Sequence, residues 1–159
     1  MKKNENQLVE LSRRLKSIKA RDIMTSDVIT TTKNTNLSDI ARIMITKRVS
    51  GLPVVNKKGD VIGIITANDL FMVMDMVRSG DVLDGGKAGS RVPTVGFAMS
   101  TDLHKARRST SLEEIIILMK YSNVHTLPVF HGKKMVGVIG RRDVFKRFYA
   151  VVKDLIESS

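Results

Sequence analysis

The chain has no cysteine and no tryptophan, and aromatic residues make up only 4% of its 159 positions. Without cysteine there is neither a disulfide framework nor a thiolate metal site. The three histidines, His104, His125 and His131, are too dispersed for a zinc cluster, which sets aside most metallohydrolase chemistry. No apolar run approaches the roughly 20 residues that a membrane-spanning helix requires. The opening stretch Met1-Lys2-Lys3-Asn4-Glu5-Asn6-Gln7 lacks the apolar region of a secretory signal. A cytoplasmic location is expected on that basis. Also missing are a Ser-His-Asp arrangement and any close pair of carboxylates fit for acid–base work. The sequence therefore reads as a non-enzyme with no catalytic cofactor and no metal.

What remains is aliphatic and basic. Apolar residues reach 42%, enough for a core built on Ile, Val, Leu and nine Met. The formal net charge of +11 points to an anionic partner. A phosphorylated small molecule, a nucleic acid or an acidic protein surface would each satisfy it.

Self-comparison reveals a repeat. A shift of 75 residues aligns Met24-Thr25-Ser26-Asp27 with Met99-Ser100-Thr101-Asp102, and Leu37, Ile40 and Met44 with Leu112, Ile115 and Met119. The same shift superimposes Val49 and Leu52-Pro53-Val54 on Val124 and Leu127-Pro128-Val129. Beyond the turn Asn56–Asp60 the shift becomes 74, so that Gly63-Ile64-Ile65 meets Gly137-Val138-Ile139 and Asp69 meets Asp143. One deletion inside a turn is what a duplicated fold tolerates best.

Each copy reads as β-α-β-β-α, an α/β (α+β) unit. In copy one a β-prone run, Val28-Ile29-Thr30, precedes a helical stripe over Leu37–Lys47, with Ser38-Asp39 near its start. Pro53-Val54-Val55 and Val61–Ile65 then form two strands around a polar turn, and a second helix runs from Asn68 to about Val77. The second helix of copy two runs from Arg142 to about Glu157. A single unit has little core of its own, so the two are expected to pack as one pseudo-symmetric module. The expected organisation is an N-terminal helix over 1–18, repeat one over 19–77, a Gly-rich flexible linker over 78–95, and repeat two with an extended C-terminal helix over 96–159. Leu8, Leu11, Leu15 and Ile18 give the N-terminal helix an apolar edge, read as packing on its own module in preference to a coiled-coil arm. In the linker, Asp84-Gly85-Gly86-Lys87-Ala88-Gly89-Ser90 faintly resembles a phosphate loop, but the Walker spacing is wrong and no strand precedes it.

The sharpest motif is Gly63-Ile64-Ile65-Thr66-Ala67-Asn68-Asp69, at a strand-to-helix junction. Thr66 stands where a helix N-cap belongs and Asp69 at the third helical position. Two readings stay open. Thr-x-x-Asp closes a capping box and finishes the helix. Alternatively, the open donors of the helix start and the Thr66 hydroxyl hold a phosphate, while ionised Asp69 accepts from both hydroxyls of a ribose.

Taken with the repeat, these marks resemble the CBS-domain family, named for cystathionine β-synthase. The resemblance rests on Arg21-Asp22-Ile23-Met24-Thr25, on Leu52-Pro53-Val54 with Leu127-Pro128-Val129, and on the Gly-x-x-Thr-x-x-Asp run. It covers about residues 19–77 and 95–150. It implies a paired Bateman module that often dimerises, binds AMP, ADP, ATP, S-adenosylmethionine or NAD in clefts between the copies, and regulates another protein. By similarity the ribose and phosphate positions fall on Asp69 and Thr66. The adenine-facing positions fall around Val28, Ile29 and Thr30 and over Val49, Ser50, Gly51, Leu52 and Pro53.

Copy two departs from this pattern. Gly137-Val138-Ile139-Gly140-Arg141-Arg142-Asp143 keeps the ribose Asp143 but replaces the threonine by Gly140, with Arg141 and Arg142 beside it. By resemblance His125 takes a phosphate-contacting position, and His104 and Lys105 make the adenine slot less apolar. The second site is therefore either tuned to more phosphate charge or vacant. The apolar faces of the second helices, with Phe71, Met72 and Met76 or Phe145 and Phe148, are the expected ground for a homodimer. Two other functions remain in view: a basic nucleic-acid-associated protein, suggested by Lys105, Arg107 and Arg108, and a structural dimerisation module with empty clefts.

Overall fold

A computed structural model of the chain describes residues 2–80 and 93–158. The Gly-rich stretch from Asp84 to Ser90 lies outside those residues. Twelve elements follow in order: α1 (Lys2–Ser17), α2 (Ala20–Ile23), α3 (Leu37–Lys47), β1 (Gly51–Val55), β2 (Val61–Thr66), α4 (Ala67–Ser79), α5 (Val95–Ala98), β3 (Ala106–Arg107), α6 (Leu112–Tyr121), β4 (Thr126–His131), β5 (Lys134–Gly140) and α7 (Arg141–Glu157). None of the helices is long and apolar enough to cross a membrane, among the described residues.

The chain divides into two compact units, one of residues 1–28 and 104–159, the other of residues 29–103. The cuts after Val28 and Leu103 lie at equivalent points of the two copies. Each unit thus combines the helix–hairpin–helix body of one copy with the leading segment of the other.

In the unit of residues 29–103, β1 and β2 pair antiparallel from Gly51↔Thr66 to Val55↔Val61, with a bulge between Val54 and Val55. The expected early strand is reduced to a single parallel bridge, Thr31↔Val54. Ile64 of β2 pairs instead with Ser100, each donating to the other's carbonyl at 2.9 Å. That pairing accounts for two residues of the repeat. Ile64 asks nothing of Pro53 opposite it, so a proline without an N–H sits in the strand at no cost in ladder bonds. A Cβ on neighbouring Gly63 would come within 2.7 Å of the Ser100 carbonyl and 2.9 Å of Met99 Cε, so only glycine fits there. The core gathers Leu37, Ile40 and Met44 of α3 with Leu52, Val54, Ile65, Leu70, Val73 and Val95. Leu37, Ile40, Met44, Val54 and Ile65 are stripe and strand residues that the periodicity singles out, whereas Val95, read as the end of the linker, is fully buried in this core.

The other unit repeats the scheme. β4 and β5 pair from Thr126↔Gly140 to His131↔Lys134, and the bulge recurs at the equivalent place, between Val129 and Phe130. Val138 pairs with Thr25 through two 2.9 Å bonds, and a Cβ on Gly137 would lie 2.6 Å from Met24 Sδ. Here the early strand is formed: β3 runs parallel to β4, with Ala106↔Val129 and Arg107↔Phe130. The shorter turn is a tight hairpin with Gly132 at φ +59, where Asn56–Asp60 makes a longer loop with Gly59 at φ +84. Both glycines occupy left-handed backbone that other side chains rarely adopt. Leu11 and Leu15 of α1 and the following Ile18 pack on this unit's core, while Leu8 stays 67% exposed. The N-terminal helix is laid on this unit through those residues.

Candidate functional site

In the unit of residues 29–103, β2 ends at Thr66 and α4 begins at once. Thr66 adopts extended backbone (φ −122, ψ 165) and caps the helix. Its amide and its hydroxyl both donate to Asp69 Oδ2 at 2.7 Å, and the Asp69 amide donates back to Thr66 Oγ1 at 3.4 Å. The capping box is therefore built. It uses only one carboxylate oxygen, and among the described residues Asp69 Oδ1 has no hydrogen-bond partner. Both residues are half-buried, so the remaining oxygen is held in a fixed direction.

The start of β1 is tied to the same point. Gly51 pairs with Thr66, and the Ser50 carbonyl accepts from the Ala67 amide at 2.8 Å. Ser50, Gly51, Thr66 and Asp69 thus come together at the open end of α4. The first amides of a helix lack intrahelical acceptors. Those of Ala67 and Asp69 are satisfied as described, which leaves the Asn68 N–H facing outward at the positive end of the helix dipole. Leu52 and Pro53 are fully buried, Leu52 in the core, so their side chains form the floor behind this point. Ile29 packs half-buried on the core and Thr30 is exposed. Buried Thr31 donates its hydroxyl to Thr35 Oγ1 at 2.9 Å. Val28 is the last residue of the leading segment of the other unit.

The equivalent point of the second unit keeps the geometry and loses part of the chemistry. Gly140 takes the cap position and its amide donates to Asp143 Oδ2 at 2.7 Å, but there is no hydroxyl to return a bond. The His125 carbonyl accepts from the Arg141 amide at 3.3 Å, matching Ser50 and Ala67. The His125 ring meets Asn123 Oδ1 at 2.9 Å. Burial lowers the His125 pKa below the usual histidine value, and the nearby Arg141 charge lowers it further. Both effects favour the neutral ring. Arg141 is turned away: its guanidinium donates to the Met119 carbonyl at 3.2 Å, at the C-terminal end of α6 where the dipole favours a cation. Arg142 is exposed. Lys105 lies with its ammonium 5.0 Å from the centre of the Phe130 ring, near the hairpin end of β4, whereas Asp143 stands at the other end. The structure brings Asp143, Gly140 and His125 together, with the Arg141 guanidinium bonded to the Met119 carbonyl yet close enough for its charge to act on His125, and does not bring Lys105 to them.

The family model for the CBS domain matches residues 20–75 and 94–150. The chain belongs to the CBS-domain family. Its fold resembles the CBS domain pair of protein MJ0100 crystallised with 5′-methylthioadenosine and S-adenosyl-L-methionine, at TM-score 0.70 and 22% identity, over 84% of this chain and 97% of that one. It also resembles CBSX2 in complex with AMP, at TM-score 0.67 and 23% identity, over 85% and 98%. In sequence it is 28% identical over 130 residues to inosine-5′-monophosphate dehydrogenase of Methanocaldococcus jannaschii, covering 81% of this chain but only 23% of the enzyme. The chain spans less than half the length of that relative and of two other proteins from the same organism.

The two glycine positions were legible as motif members but not as what they are, the sites of closest approach by the leading segment of the other copy. The recurrence of Met24-Thr25 as Met99-Ser100 at the opening of each copy is the sequence signal that marks those segments. The short helices α2 and α5 precede those segments and carry too few residues to show a period.

Proposed function

We propose that this CBS pair is a regulatory module that binds an adenosine-type nucleotide at the open end of α4 and is not itself a catalyst. The observation that carries this reading is the divided carboxylate of Asp69. One oxygen completes the helix cap, and the other has no hydrogen-bond partner among the described residues, on a half-buried side chain whose cap partner Thr66 pairs with Gly51 at the start of β1. Such an oxygen accepts from ribose hydroxyls by charge-assisted bonds, while the helix dipole favours a phosphate nearby. The crystallised relatives with AMP, 5′-methylthioadenosine and S-adenosyl-L-methionine support the adenosine class. The second site, with Asp143 but without a hydroxyl and with the Arg141 guanidinium turned aside, is read as the weaker of the two.

A thermal-shift panel of AMP, ADP, ATP, S-adenosylmethionine and NAD tests the proposal. A ligand at about 100 times its dissociation constant adds about 2.7 kcal/mol to folded-state stability. No shift with any member of the panel would remove the reading.

Regulation by this family's modules implies a partner that senses the bound state, and a second copy is the first candidate. Phe71 and Met72 of α4 are 66% and 58% exposed, and Phe145 and Phe148 of α7 are 67% and 47% exposed. Large apolar side chains displayed on a helix face mark an association surface. Met76 is half-buried and contributes less.

A further inference from the structure

We propose that the hairpin end of the unit of residues 1–28 and 104–159 is a binding cleft for single-stranded nucleic acid, separate from the nucleotide positions at the helix starts. An open cleft of about 710 Å³ is lined there by Arg21, Arg107, Arg108, Phe130, His131 and Gly132. It lies at the opposite end of β4 from Thr126, which pairs with Gly140 at the α7 cap.

The backbone fixes the arginines. Arg107 pairs with Phe130 across β3 and β4, and its amide donates to Thr110 Oγ1 at 2.9 Å while the Thr110 amide returns to the Arg107 carbonyl at 3.0 Å. That turn presents Arg108. Arg21 is drawn in by its own amide, which donates to the Arg108 carbonyl at 3.1 Å. Among the described residues neither Arg107 nor Arg108 forms an ion pair, and Arg21 has only Asp22 Oδ1 at 4.0 Å. Asp22 Oδ2 is occupied by the Lys19 amide at 2.8 Å. Three guanidiniums thus face one cleft with a single, partly committed carboxylate near them.

Two features choose the ligand. All three arginines are exposed, so the cleft does not enclose its ligand as a small-molecule pocket does, and an extended chain passing across it fits better. Phe130 lines the same cleft with a half-buried aromatic ring, over which the mobile Lys105 side chain holds its ammonium 5.0 Å from the ring centre, where an incoming base would replace it. Guanidiniums for successive phosphates around one ring for a base are the elements of sequence-tolerant single-strand binding. The chain's net charge of +11 supplies the long-range attraction.

Fluorescence anisotropy of the full chain with a labelled single-stranded oligonucleotide of mixed sequence tests this. Each cation that neutralises a phosphate of a single strand contributes about 0.7 to the slope of log K against log salt. Arg107→Ala/Arg108→Ala should lower that slope by about 1.4 and leave the melting temperature unchanged. Phe130→Leu should weaken binding roughly tenfold at an unchanged slope. A control pair on exposed α7, Lys146→Ala/Arg147→Ala, should change affinity far less. Equal losses from the control and cleft pairs, or no loss from the cleft pair, would overturn the proposal. So would a nucleoside triphosphate that binds in an Arg107- and Arg108-dependent manner while the oligonucleotide does not bind. Asp69→Asn should leave oligonucleotide binding intact, which keeps a failure here distinct from a failure of the adenosine site.

Discussion

Asp69 caps α4 and is proposed to hold a ribose, and substitutions separate the two roles. Asp69→Ala removes the acceptor for the Thr66 amide and hydroxyl, so it should lower the stability of the unliganded chain by about 1 kcal/mol, read by chemical denaturation. Asp69→Asn keeps an acceptor for the Thr66 amide and loses only the charge, and should stay close to wild-type stability. His125 offers a second check at this scale. Its folded-state pKa lies below the unfolded value because burial and Arg141 oppose the charged form. Below about pH 6.5 the unfolded chain therefore binds more protons than the folded one, and stability falls as pH drops toward the folded pKa. Above that range the contribution is flat. An NMR titration of the ring should give a midpoint below the usual histidine value, and His125→Asn should shallow the acid side of the stability profile.

At the scale of elements, the hairpins and the segments laid on them decide what can change. Gly63 faces a backbone carbonyl that cannot move aside, whereas Gly137 faces the side chain of Met24. Gly63→Ala should cost about 1–3 kcal/mol by overpacking, and Gly137→Ala less, because a methionine can shift rotamer. Equal unfolding midpoints for the two would contradict that account. The helix ends give an opposite prediction. Arg48 closes α3 in left-handed backbone at φ 54, and Asn123 stands at φ 52 at the equivalent point after α6. Asparagine adopts this conformation at less cost than arginine, and glycine at the least cost of all, so Arg48→Gly should stabilise the chain by about 0.5–1 kcal/mol. Denaturant melts would show it.

Much of this scale was readable beforehand. The stripe Leu37, Ile40, Met44 returned as α3 with the expected bounds, and Thr-x-x-Asp returned as a capping box. The early strand of copy one did not, because Thr31 alone meets β1 there while copy two forms β3. Arg141 and Lys105 were beyond reach for a different reason. Long flexible side chains follow local partners, here the Met119 carbonyl and the Phe130 ring, and position in a motif does not reveal those partners.

At the scale of the whole molecule, a repeat says which residues are alike and is silent on which copy each segment joins. Met24-Thr25 pairs with β5 of the second copy and Met99-Ser100 packs on β2 of the first, so the compact units are cut at Val28 and Leu103. Folding of either body therefore requires chain from both copies, and a truncation after residue 80 should leave the first body without its Ile64 partner strand. Limited proteolysis of that fragment should show rapid digestion, against protection of the full chain. The displayed apolar faces of α4 and α7 belong to the same scale. Phe71→Glu/Phe145→Glu should shift sedimentation velocity of the chain toward a single copy if those faces carry the proposed dimer.

The central claim is that an adenosine nucleotide is held by Asp69 at the start of α4. Isothermal titration of AMP and S-adenosylmethionine into the wild-type chain, Asp69→Asn and Asp143→Asn tests it most directly. Saturable binding should be seen for the wild type and weakened more than tenfold by Asp69→Asn, with Asp143→Asn the milder change. Undiminished affinity in Asp69→Asn, with the fold intact, would contradict it.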